Sequence, residues 1–181
     1  MQWYKGITWG GVVSMLLLLG ACTGKPENVE PIQNFELDNY LGEWYEIARL
    51  PHPFEEGLSH VTAQYSPRDD GGISVINRGY KAESGEWEQA EGKAYFVDAP
   101  NVGHLKVSFF GPFYASYVIF TLDDSYDYAM VTGPDKDYLW ILSRTPTLPD
   151  ETVDALVSQA AQKGYATGDL IYVDQKNRPQ E

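Results

Sequence analysis

The chain holds one cysteine in 181 residues, Cys22. No disulfide framework can be built on it, so an apolar core alone must hold the fold. Positive charge is also scarce. Thirteen Lys and Arg stand against 26 Asp and Glu, a net charge of −13. Nucleic acid as a partner calls for a basic patch or stripe, and none is present. An acidic body is repelled by anionic lipid too, so surface charge cannot hold it at a membrane. The three histidines, His52, His60 and His104, lack metal-ligand spacing and read as surface or hydrogen-bonding groups. No Ser-His-Asp arrangement and no phosphate-cradling glycine motif occurs. With so many carboxylates, no acidic pair is informative. These absences argue against an enzyme and suggest no cofactor and no metal.

Long apolar runs are missing as well. Val12 to Leu19 is apolar apart from Ser14, and it is too short for a permanent bilayer span. Lys5 precedes it and Leu19-Gly20-Ala21-Cys22 follows. Residues 1–21 therefore read as a cleaved signal peptide. Leu-Gly-Ala-Cys resembles the lipobox of bacterial lipoproteins, whose cysteine is lipidated and becomes the N-terminus. The alternative is an ordinary signal peptide with an incidental cysteine. Acyl chains on Cys22 would supply the membrane attachment that charge cannot, two or more anchoring stably where one does not. Thr23 follows Cys22. By resemblance to lipoprotein sorting rules, that favours the bacterial outer membrane, lipid-anchored and facing the periplasm. Residues 22–34 are polar and proline-bearing. They read as a flexible tether reaching roughly 20 Å, ahead of a folded domain at 35–181.

Within the domain, short segments alternate with turn signals about every ten residues, which predicts an all-β fold. Eight strands are expected, at 43–50, 59–66, 72–81, 87–98, 103–109, 115–122, 127–132 and 138–144. Turns fall at Arg68–Gly72, Ser84-Gly85, Pro100-Asn101, Asp123-Asp124 and Gly133–Asp135. An eight-stranded antiparallel meander closes most naturally into an up-and-down β-barrel, which removes its edges. Leu105, Val107 and Phe109 share one face, and His104, Lys106 and Ser108 the other. In YVIFTL and YLWIL both faces are apolar, so one needs a cover. A helix after Thr147 supplies it. Thr147 is the expected N-cap, with Asp150 at the third helical position. Val153, Leu156, Val157, Ala160 and Ala161 form the buried stripe, and Gly164 ends the helix. Leu37 to Leu41 reads as a helical turn closing the barrel base, and Leu170 to Val173 as a last short strand.

Gly42-Glu43-Trp44 opens the first strand and Arg144 closes the eighth. A tryptophan at the closed end of a barrel needs a cover, and a guanidinium stacked on the indole is a good one. This pairing resembles the signature of the lipocalins. The segments RLPHPFEEG, YSPRDDGGISVINRGY, EGKAYF, LKVSFFGPFY and GPDKDYLWILSRTP are similar to the outer-membrane lipoproteins of that family, over about Phe35 to Val173. The family's middle motif, usually a Thr-Asp pair, is replaced by Thr132-Gly133-Pro134-Asp135, which still encodes a tight turn.

The resemblance implies a calyx that binds a small hydrophobic ligand, a fatty acid or a lysophospholipid, for membrane maintenance. It also implies a possible homodimer. Aromatics are dense at 109–117, FFGPFYASY, where they would line or rim the cavity. Strand parity together with the resemblance makes Ala63, Ala94, Val107, Phe109, Phe113 and Tyr117 the candidate wall. A structural lipoprotein with a filled barrel is the competing reading, and a lipid-modifying enzyme the weaker one.

Overall fold

The computed structural model describes residues 23–180, so the predicted signal peptide and Cys22 lie outside the described residues. Helix α1 (Leu37–Tyr40) leads into eight antiparallel strands: β1 (Gly42–Arg49), β2 (Leu58–Pro67), β3 (Ile73–Lys81), β4 (Glu86–Phe96), β5 (His104–Ser108), β6 (Ala115–Leu122), β7 (Tyr128–Thr132) and β8 (Leu139–Ser143). Each strand pairs with the next. β1 pairs with both β2 and β8, which closes the barrel. All strand ends fall within two residues of those expected, because turn residues punctuate the alternation so regularly.

The alternation sorts side chains into two cores. Inside the barrel lie Trp44, Tyr65, Ile73, Val75, Ala94, Leu105, Ile119, Ala129, Val131 and Leu142. On its outer face Ile47, Val118, Phe120, Met130, Leu139 and Ile141 meet Leu156 and Ala160 of helix α2 (Asp150–Gln162). The helix therefore covers the strands that are apolar on both sides.

Two details of the helix differ from expectation. Pro149, not Thr147, occupies the N-cap position, and no side chain caps it. The Pro149 carbonyl accepts from the Thr152 and Val153 amides instead, and Asp150 and Glu151 complement the dipole. Ala161 is exposed, because it stands about 100° around the helix from Ala160. At the far end Gly164 has φ +86. Its amide donates to Ala161 O at 2.9 Å and the Tyr165 amide to Ala160 O at 3.2 Å, a Schellman closure. Tyr165 is thereby buried and stacks on Phe120 at 5.8 Å.

The segment expected as a flexible tether is seated on the barrel from Pro26 onward. Pro26, Val29 and Pro31 are buried. Ile32 N–H donates to Ile119 O and Gly103 N–H to Ile32 O, each at 2.9 Å. Gln33 bridges to Val102. Three buried residues among polar ones give no periodicity, so the sequence conceals this docking. Val29 is fully buried in the outer core. Val29→Ala should therefore cost about 2 kcal/mol, read as a lowered urea midpoint. A free tether would show no change.

The C-terminal tail closes the β1–β2 seam. Strand β9 (Ile171–Tyr172) pairs with β1. Gln175 Nε2 donates to Glu46 O and Val61 O, each at 2.8 Å, and the His60 amide donates to Asp174 O. The three histidines are buried rather than at the surface. His60 binds Ser59 and the Lys176 carbonyl, and His104 Nδ1 sits 3.0 Å from Asp98.

Candidate functional site

The barrel has two unlike ends. At the closed end Gly42 adopts φ +97, a conformation glycine takes without strain. It turns the chain so that Trp44 points inward with no exposed surface. The indole N–H donates to Tyr40 O at 2.8 Å. Arg144 Cζ lies 4.0 Å from the centre of the Trp44 ring. Its guanidinium donates to Glu43 O at 2.9 Å, Asn39 O at 2.7 Å and Tyr126 O at 3.3 Å. One cation thus ties α1, β1 and the β6–β7 turn together over the indole. Phe35, Tyr40 and Tyr126 complete the plug.

Above the plug, three hydroxyls form a polar floor. Tyr117 Oη lies 2.8 Å from Tyr40 Oη and 2.8 Å from Tyr65 Oη. Burial pushes all three phenols above their ordinary pKa, so they stay neutral at physiological pH.

The inner wall then opens toward the other end. Along β4 the inward positions run from Ala94, buried, through Gly92, half-buried, to Ala90, exposed. Along β6 they run from Ile119, buried, through Tyr117 to Ala115, exposed. Both strands show one gradient, packed at the closed end and solvent-reached at the mouth. Ala63 lies opposite Trp44 and Asn77 and is inward and half-buried. Val107 and Phe109 join the same interior, and Phe109 packs where Gly92 has no Cβ. The structure thus brings Ala63, Ala94, Val107, Phe109 and Tyr117 to the barrel interior. Phe113 does not line it. It is 73 % exposed, because the chain leaves β5 at Ser108 and the following loop carries it onto the rim. Asn77 Oδ1 is shielded in the wall with no hydrogen-bond partner among the described residues.

Near the mouth lies a buried ionic knot that sequence reasoning missed. Arg49 donates to Glu46 Oε1 at 2.6 Å, to Glu55 O at 2.7 Å and to Leu58 O at 3.2 Å. Glu55 Oε2 lies 3.0 Å from His52 Nε2 and accepts from Trp140 Nε1 at 3.1 Å. Burial, with Glu55 close by, raises the Glu46 carboxyl well above the carboxylate range. Burial also raises Glu55, but His52, Trp140 and Arg49 outweigh it and hold that carboxyl low. The knot pins the 50–57 loop across one side of the mouth. Among 26 acidic residues nothing in sequence marked these two. The one available signal was an arginine inside a strand otherwise facing a core.

A closed β-barrel plugged at one end, with a small-residue apolar wall and an open mouth, defines a calyx protein of the kind that binds small hydrophobic ligands. The family model described as a lipocalin-like domain matches residues 35–175, and the chain belongs to that family. It is 58% identical to the outer membrane lipoprotein Blc of Vibrio cholerae, over 88% of this chain and 94% of the relative. It is 52% identical to the protein of that name in Escherichia coli, over 87% and 90%. Among solved structures it is similar to insecticyanin from the tobacco hornworm Manduca sexta, at 25% identity and TM-score 0.65, covering 85% of this chain and 88% of that one.

Proposed function

We propose that this chain is an outer-membrane lipoprotein that binds one single-chain lipid, a fatty acid or lysophospholipid, in its calyx. The carrying observation is the burial gradient along β4 and β6, which leaves the upper barrel unfilled. An acyl chain gains about 0.8 kcal/mol for each CH₂ taken from water. The apolar wall accepts the chain. The tyrosine hydroxyls bond one another, so the floor presents no charge to a chain terminus. Membership of the lipocalin family makes the role carriage or storage for membrane maintenance.

The proposal includes an acylated Cys22 as the mature N-terminus. Cys22→Ala should then leave the outer-membrane fraction in high salt, followed by sedimentation and mass spectrometry. Retention in the membrane pellet would remove the anchor.

The binding test is titration of a fluorescent acyl probe. Saturation at one probe per chain is expected, unchanged at high salt because chain burial is hardly screened. Ala90→Trp fills accessible space at the mouth without overpacking the core and should weaken binding at least about tenfold. Ala63→Phe, deeper, should do the same. Absence of saturable binding across several chain lengths would end this reading and leave a structural lipoprotein.

A further inference from the structure

We propose that the open rim of the barrel is a docking surface for a zwitterionic lipid bilayer, with Phe54, Phe110 and Phe113 seated in the interface and the mouth turned toward it. These phenylalanines are 71, 74 and 73 % exposed, the most exposed large apolar side chains among the described residues. A lone exposed apolar residue is ordinary, but these three share one end of the barrel. Phe54 sits in the β1–β2 loop and the other two in the β5–β6 loop. Those loops are half the barrel's circumference apart, so the aromatics straddle the mouth. The closed-end turns present none.

The supports are rigid. The ionic knot of Arg49, Glu46 and Glu55 fixes the Phe54 loop from below. Lys106 lies 5.3 Å from the Tyr114 ring beside the other loop. Residues 109–114, FFGPFY, carry no charge on a chain of net −13. Of the acidic rim residues, Glu83, Asp135 and Asp137 stand on other loops, and exposed Glu56 shares the loop of Phe54. An anionic bilayer would repel them, whereas a zwitterionic one admits the neutral aromatic face.

The path of the chain agrees. Helix α2 starts after Arg144 at the closed end. It finishes at Gly164, where an added Cβ would stand 3.2 Å from Lys136 Nζ in the open-end β7–β8 turn. Asn28 lies beside Gln159, Gln162 and Lys163 at that upper end. Cys22 is six residues before Asn28, at most about 20 Å away along extended chain. An anchor there holds the mouth side near the bilayer. This last argument rests on the acyl anchor proposed above, and the others do not.

The test uses the full chain reconstituted in phosphatidylcholine vesicles with brominated acyl chains, which quench tryptophan on contact. Phe113→Trp and Ser125→Trp are compared with the parent protein. Ser125 is exposed in the closed-end β6–β7 turn. Emission added by Trp at 113 should fall about twofold or more in brominated vesicles, while that at 125 stays unchanged. Quenching at 125, or none at 113, overturns the proposal. So does efficient cross-linking of Phe113→Cys copies with 113 unquenched, which would make the rim a self-association face. Added phosphatidylglycerol should weaken the quenching at 113, and strengthening would overturn the zwitterionic preference. The mass of the same sample reports the anchor separately. Unacylated chain still quenched at 113 ends the anchor and keeps the docking rim. Acylated chain unquenched at 113 does the reverse.

Discussion

Trp44→Ala is expected to cost about 3–5 kcal/mol, the range for emptying a large buried aromatic site. The indole is fully buried, its N–H is bonded to Tyr40 O, and the tilted Tyr40 ring packs on it at 4.7 Å. Removing it leaves a void beneath Arg144 that the closed strands cannot collapse into. Arg144→Lys should also destabilise, by roughly 1 kcal/mol or more, although charge is kept. Lysine has neither the planar face that stacks nor the fork that reaches Asn39 O, Glu43 O and Tyr126 O together. In a double-mutant cycle the losses should be non-additive. Additive losses in chemical denaturation would show that the stack contributes nothing beyond burial.

The second large effect is at the mouth. Arg49→Met should lower stability by about 3–5 kcal/mol near pH 7, since it strands Glu46 and Glu55 without their shared cation. Its pH response identifies the cause. In the parent, Glu55 is held below its unfolded pKa, so its contribution is present above that value and fades as pH falls through the folded one. Glu46 is raised, so its contribution is present at low pH and is lost as pH rises through the folded value. Without Arg49 the buried Glu46 carboxyl favours the protonated form still more, while Glu55 keeps His52 and Trp140. The variant should therefore regain stability between pH 7 and pH 5. Glu46→Gln in the same background should recover part of the loss. An equal deficit at both pH values would assign the effect to packing instead.

These two sites were not equally legible. The closed end announced itself, because Gly42, Trp44 and Arg144 mark strand ends and a guanidinium is a good cover for an indole. Strand positions were legible for a related reason: turn residues and two-residue alternation are local signals. The ionic knot depends on which carboxylates end up under one loop, and that is decided by barrel closure. Phe113 reads with the aromatic run 109–117 as lining or rimming the cavity, and it falls in the loop after β5 stops. Parity carries no information once the ladder ends. The docked segment from Pro26 to Asn34 was hidden because its buried residues contact the outer barrel singly, at no regular spacing.

Closure of the barrel has a temporal side. Tyr45 on the first strand is paired with Ser143 on the eighth, and the seam is then locked by Gln175, close to the last residue. Such distant partners give a high contact order, and chains of that kind fold slowly. Nothing can complete the ring until the eighth strand has been made, and nothing can lock it before Gln175 has. Until then a nascent chain of this design stays unclosed, in a state that can still be threaded or handed on.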